Sequence, residues 1–315
     1  MNEPRWPGVS PVPPRLLVAL PAGTNEGADD VRALVDLAVR AEAAGVDGVV
    51  LSDHVVIGPR TDRYPWGRFP FPADAPWLEP LTVLTAVATV TTTLRLTTGV
   101  LVAPLRPAPL LAKTVATLDQ LSAGRVDLGV GTGWQAEEFE AQGLDVDERG
   151  RLLTDTIAAC RALWGPQPAQ FESATVAFRD VYSVPVPTRP GGPPVLFSGT
   201  LTARNVDRIV RLGDGWIPIM KATVDDVAAG IQALRLAYVD AGRDPRTLMV
   251  RFPLPLVRRG DSVDVESTLV QAYDLVALGV TEVSVPLVAL APDLVGMREA
   301  LPRLGSTWVH RVFGS

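Results

Sequence analysis

The chain has 315 residues, 47% of them hydrophobic and 20% charged, with a formal net charge of −6. This composition supplies ample material for a packed core and excludes wholesale disorder. The mildly acidic balance offers no broad basic surface, so neither nucleic acid nor an anionic membrane is an expected partner.

Residues 1–14 are proline-rich, lack the apolar core of a signal peptide, and read as a tail in front of one domain over 15–315. No later run approaches the roughly 18 uninterrupted apolar residues of a membrane span. Short apolar runs instead alternate with amphipathic stretches, the pattern of parallel strands joined by crossover helices. LLVAL (16–20) is the first strand, a helix over 30–44 ends at Gly45, and GVVLS carries the second strand to Ser52. The stretch 53–78 is rich in proline and aromatics (YPWGRFPFPADAPW), and a loop longer than about 15 residues serves as a lid or binding loop. A helix from Glu79 leads to the third strand over 94–102. RPAPLLAKTVATLDQLSAGR then reads as a helix, with proline near its start and Gly124 past its end.

RVDLGVG is the fourth strand, followed by GTGW, a short acidic helix and a longer helix over 148–164. The single cysteine, Cys160, falls in that helix as a small buried apolar residue; with no possible intrachain disulfide, a reducing cytoplasm is the expected setting. Residues 171–190 mix β-formers with prolines and read as an insertion outside the ring, in the form of a hairpin. PVLFSG, DGWIPI, TLMVRFPLPLV and TEVSVPLV complete the count of eight. An α/β chain closed as a (β/α)8 TIM barrel with insertions is the expected fold. An open doubly wound sheet competes, but its first turn should be GxGxxG, and LPAGTNEG is a poor version.

In such a barrel the site lies at the carboxyl ends of the strands. Strand two ends in Ser52-Asp53-His54, and a histidine titrating near neutrality can exchange a proton with a reacting centre. The bland alternative is that Asp53 and His54 only pin the long loop. Strand three carries Gly99-Val100, where glycine marks a bulge, a close approach by a flat ligand, or simple relief of packing. Strand four runs into Gly131-Thr132-Gly133-Trp134, whose bare backbone can approach a polar chain. Strand five ends in Ser198-Gly199-Thr200 before a helix starting near Thr202, a place suited to phosphate. Ordinary capped turns explain the last two loops equally well. Together the four tips favour one elongated, phosphate-bearing ligand. Trp216 reads as a buried barrel tryptophan, and Lys221 and Arg251 as anchors for an acidic group or, more blandly, solvated surface charge. His54 and His310 are the only histidines, too few for a multi-histidine cluster, and no metal site is expected.

Through SDH, WLEPLTVL, LTTGVLVAPLRPAPLLAKTVATLDQLSAGRVDLGVGTGW, EEFEAQG, ERGRLL and RLGDGW, residues 16–218 resemble the luciferase-like monooxygenase superfamily. The likeness is strongest to the branch that uses the deazaflavin coenzyme F420 of actinobacteria and methanogens. It implies a non-proline cis peptide at Gly99-Val100 backing the cofactor ring, with Asp53 and His54 at the ring. It further implies that Gly131, Thr132 and Gly133 line the ribityl chain, that Ser198, Gly199 and Thr200 hold the phosphate, and that His54 is the acid/base. Sugar-phosphate dehydrogenases of that branch carry a glutamate where Trp134 stands, so their substrate is not carried over and a more apolar pocket is expected. A homodimer through the segment 81–93 and the helix after Arg106 is also implied. The functional expectation is hydride transfer between F420 and a small organic substrate. The alternatives are an FMN-dependent monooxygenase on the same scaffold, and a non-catalytic flavin-binding protein, which should have lost the histidine.

Overall fold

The computed structural model describes residues 14–21 and 32–313, with side chains through residue 309. The proline-rich tail, apart from Pro14, lies outside the described residues. So do residues 22–31, which hold most of the LPAGTNEG turn and the expected start of the first helix, and the side chain of His310.

Eight parallel strands form a ring: β1 (Arg15–Ala19), β2 (Gly48–Leu51), β3 (Arg95–Thr98), β4 (Val126–Gly131), β5 (Val195–Ser198), β6 (Gly215–Ile217), β7 (Met249–Pro253) and β8 (Glu282–Pro286). Each pairs with the next in chain order, and β8 returns to β1, so the expected barrel is closed. The strands read as unbroken apolar runs because both faces are covered; every residue of β2 is buried.

The covering comes from helices α1 (Arg32–Ala43), α2 (Pro80–Val90), α3 (Ala108–Leu121), α4 (Ala136–Ala141), α5 (Arg149–Leu163), α6 (Ala203–Leu212), α7 (Val224–Asp240), α8 (Val265–Leu278), α9 (Leu287–Leu290) and α10 (Leu294–Phe313). Helix α1 buries Ala33, Leu34, Leu37, Ala38 and Ala41, the spacing of a single apolar stripe, and the chain turns out of it at Gly45 with φ +81°. Helix α2 has proline in its first turn, and the Glu79 carboxylate caps it by accepting from Thr82 N at 2.6 Å. Helix α10 presses on the end of α1, where a Cβ at Gly305 would stand 1.8 Å from the Ala44 carbonyl oxygen. Among the described residues no helix is long and apolar enough to cross a membrane.

Charged groups fill the interior near the strand starts. Arg15 pairs with Asp127 and Glu282, each at 3.0 Å, and Arg95 also grips Asp127. Arg251 of β7 donates to Glu282 Oε2 at 2.8 Å and to the Thr98 carbonyl, at the tip of β3, at 2.9 Å. It is only 3% exposed. Solvated surface charge is therefore the wrong reading of Arg251. A neighbouring strand supplies the carboxylate that makes its burial tolerable.

The third strand is interrupted where a continuous run over 94–102 was expected. Pairing stops at Thr98, resumes at Leu101–Val102 against β4, and the Gly99–Val100 peptide between them is cis. The insertion is an antiparallel hairpin of Ala169–Glu172 with Ala177–Val181, outside the ring as expected. The chain after it is tied along α3 by Lys113 Nζ donating to Val184 O and Gln120 Nε2 donating to Val186 O.

Candidate active site

The tips of the strands enclose a cavity of about 260 Å³. Asp53, His54, Gly99, Val100, Gly131, Thr132, Gly133, Ser198 and Gly199 all line it, so the fold brings together residues spread over almost half of the chain. Thr200 is the exception among the expected residues; it is exposed beyond the lining.

His54 leaves the end of β2 and meets a residue the sequence reading did not single out. Its Nδ1 donates to Glu138 Oε2 at 3.0 Å, while Glu138 Oε1 accepts the Val55 amide at 2.8 Å. Glu138 is fully buried in the first turn of α4. With both carboxylate oxygens accepting, the hydrogen belongs on Nδ1, and Nε2 is left as the basic nitrogen of a cavity-lining ring. Asp53 does different work. Its Oδ2 accepts from Val102 N at 2.8 Å and Arg106 Nη1 at 2.7 Å, and its Oδ1 accepts from Arg106 Nη2 at 2.9 Å. The carboxylate thus ties the β2 tip to the far side of the β3 bulge. Burial alone would lower the Arg106 pKa, but bonds to Asp53 and Glu79 outweigh it and hold the guanidinium charged.

Beside the histidine the wall is bare backbone, and neighbouring side chains require it to be. A Cβ at Gly99 would stand 2.3 Å from Val50 Cγ1, and one at Gly131 would stand 2.7 Å from Val100 Cγ2. Gly133 has φ +73°, and its Cβ would stand 2.7 Å from Val102 Cγ1. A flat ring can therefore lie flush against this surface. At the fifth tip the Gly199 amide is already spent on Ile217 O at 3.1 Å, and the Gly199 carbonyl accepts Trp216 Nε1 at 2.8 Å. The expected role of Trp216 as a buried barrel residue holds. An anion here would meet the Thr200 hydroxyl and the first-turn amides of α6, which Thr202 caps through Asn205 N.

The opposite wall is aromatic. Residues 53–78 fold back over the mouth and set Trp77 4.6 Å and Phe69 5.8 Å from His54, measured between ring centroids. Trp134 lies 6.0 Å from His54 and 5.1 Å from Tyr64. The strap is rooted on α4, where the Gln135 side chain bonds both the amide and the carbonyl of Gly58 at 2.9 and 3.1 Å. It is closed across the mouth by Tyr64 Oη donating to Met220 Sδ at 2.9 Å. Gln135 went unnoticed in the sequence, Trp77 was seen only as part of the aromatic loop, and the acidic EEFEAQG segment was the available signal for Glu138.

Other polar groups form no second centre of this kind. Among the described residues no cluster of His, Cys, Asp or Glu could hold a metal ion. Burial pushes the Cys160 thiol up to about 12, which makes it a core residue rather than a nucleophile.

The family profile of the luciferase-like monooxygenases matches residues 15–286, and the chain belongs to that family. An uncharacterized protein of Mycobacterium tuberculosis is 36% identical over 168 residues, 53% of this chain and 58% of the relative. The F420-dependent glucose-6-phosphate dehydrogenase of Mycolicibacterium fortuitum is 35% identical over 195 residues, 59% of this chain and 52% of the relative. These matches span little more than half the length of the curated relatives. Among solved structures, a monooxygenase of Streptomyces bottropensis has a TM-score of 0.77 at 18% identity, covering 94% of this chain and 99% of that one. An F420-dependent secondary alcohol dehydrogenase, in complex with an F420-acetone adduct, has a TM-score of 0.75 at 16% identity with the same coverage. The structural likenesses establish the shared fold. The named relatives and structural neighbours include F420-dependent enzymes and a monooxygenase.

Proposed function

We propose that this chain transfers a hydride between coenzyme F420 and a small organic substrate, with His54 as the proton acceptor and donor. The observation that carries the reading is the His54–Glu138 pair beside a wall built around Gly99, Gly131 and Gly133. A flat ring suits this wall because Gly99, Gly131 and Gly133 line the cavity with no side chain of their own. In the proposal Gly99 and Val100 back the ring, Gly131, Thr132 and Gly133 line the ribityl chain, and Ser198 and Thr200 with the start of α6 meet the phosphate, Gly199 giving only the close approach because its amide is spent on Ile217. When bound, the deazaflavin supplies a ring carbon able to accept or give a hydride.

The residues of the chain do the rest. Glu138 holds the His54 ring with Nδ1 toward its carboxylate, which leaves Nε2 as the nitrogen to take a substrate hydroxyl proton as a carbonyl forms and to return it in reverse. Asp53, locked to Arg106 and Val102, positions the tip that carries His54. The aromatic strap gives the cavity a largely apolar outer wall.

FMN on the same wall is the second reading, favoured by the fold shared with the Streptomyces bottropensis monooxygenase. Separate fluorescence titrations with F420 and FMN decide between them. Tight FMN binding without F420 binding would overturn the deazaflavin assignment. A non-catalytic flavin binder is disfavoured by the retained and oriented His54. A homodimer through α2 and α3 is proposed on the exposure of Val90, Leu110 and Leu121, at 51%, 62% and 54%. Light scattering should report two chains, and Leu110→Asp should report one. The single buried thiol suits a cytoplasmic setting.

A further inference from the structure

We infer that the aromatic half of the cavity is a subsite for a flat, uncharged, largely apolar substrate bearing one hydroxyl or carbonyl group. This rests on the reading that the glycine wall holds the cofactor ring. That assignment leaves Tyr64, Trp66, Phe69, Trp77 and Trp134 to face the substrate. Their rings meet mostly edge to face, with centroids 5.2 Å apart for Tyr64 and Trp66 and 5.1 Å for Tyr64 and Trp134, so they present both edges and faces to an entering ring.

Charge narrows the class further. Among the described residues no lysine or arginine lines the cavity. The nearby guanidinium of Arg106 is committed to Asp53 and Glu79, and Lys221 is exposed outside the lining. Carboxylates gather around the site instead. Asp53 and Glu138 are buried in it, and Glu137 keeps one buried oxygen without a partner. With Asp53 neutralised by Arg106, an anionic head group would find no cation among the described lining residues and would sit near the buried Glu138 carboxylate, at a steep desolvation cost. The polar handles that remain suit a neutral oxygen. His54, which lines the cavity, offers Nε2. A ring compound carrying an alcohol or ketone satisfies this arrangement; a sugar phosphate or a carboxylate does not.

The test is calorimetric titration of the full chain, without cofactor, against 2-acetonaphthone and against 2-naphthoate, its anionic counterpart on the same ring system. The ketone should bind about tenfold more tightly or better, because desolvating the unpaired carboxylate is costly. Tyr64→Ala and Trp66→Ala, both at half-exposed strap positions, should each weaken the ketone by about fivefold or more as ring contacts are lost. Trp66→Ala should leave F420 and FMN titrations within about threefold of the parent, since the side chains packed against Gly99, Gly131 and Gly133 do not include this ring. Equal or tighter binding of naphthoate, no ketone binding, or ketone binding unaffected by both substitutions overturns the inference. If the ketone binds as described while neither cofactor does, the cofactor reading fails and the subsite stands.

Discussion

Replacing Glu138 by glutamine tests the site at its centre with little change of shape. The glutamine carbonyl can keep the Val55 amide, now bonded at 2.8 Å, so the root of the strap stays in place. The amide nitrogen then faces His54 Nδ1 where a carboxylate oxygen stood at 3.0 Å. A donor facing Nδ1 requires that nitrogen to accept, which moves the hydrogen to Nε2 and removes the base from the cavity. A hydrogen bond to a charged group is worth about 1.5–3 kcal/mol. At about 1.4 kcal/mol per factor of ten, the tautomer ratio should shift by roughly 10- to 100-fold. With only two histidines in the chain, nitrogen-15 NMR resolves the question directly once His310→Gln identifies the other signal. The parent should show the form protonated at Nδ1 and Glu138→Gln the form protonated at Nε2. Turnover should fall by about 10²- to 10⁴-fold, the usual worth of a positioned acid/base. The same tautomer in both proteins would refute the role assigned to Glu138.

Three further outcomes follow from the packing. Gly131→Ala places a methyl 2.7 Å from Val100 Cγ2. Overpacking of this kind costs about 1–3 kcal/mol, and cofactor titration should weaken by about tenfold as Val100 is displaced; an unchanged titration would remove this wall from the site. Arg251→Met leaves Glu282 buried with Arg15 alone. It should destabilise by about 3–5 kcal/mol in urea, and Arg251→Met with Glu282→Met should recover most of that loss. Equal instability of single and double variants would exclude the ion pair as the cause. Cys160 concerns alkaline pH. Its thiol is raised in the folded chain from 9.0 to about 12, so above pH 9 the unfolded chain releases the proton and the folded chain does not. Stability is therefore intact below pH 9 and falls above it, by about 1.4 kcal/mol per pH unit from this group. Cys160→Ala should show a correspondingly shallower alkaline decline, and an identical decline would show the thiol to be accessible.

Much of the site was legible because strand tips have local signatures. Gly99, Gly131 and Gly133 are small for reasons visible as a break in an apolar run, and His54 comes three residues after the last residue of a buried strand. The hairpin over 169–181 could likewise be anticipated from alternating β-formers next to prolines. Partnerships were less legible. Asp53 could be placed at a tip, but its commitment to Arg106, 53 residues away, depends on how the chain after β3 turns back.

Local pattern alone carried the closed eight-stranded order, since apolar runs and capped amphipathic helices are properties of neighbouring residues and parallel crossovers leave few topologies open. Tertiary structure decided which charges are buried and which groups meet. Arg251 sits in a strand of ordinary appearance and becomes an interior residue only because Glu282 lies on the strand beside it. His54 has a defined tautomer only because Glu138, 84 residues on, arrives from another loop. A side chain's burial and protonation depend on partners brought by the whole fold, and no periodicity along the chain records them.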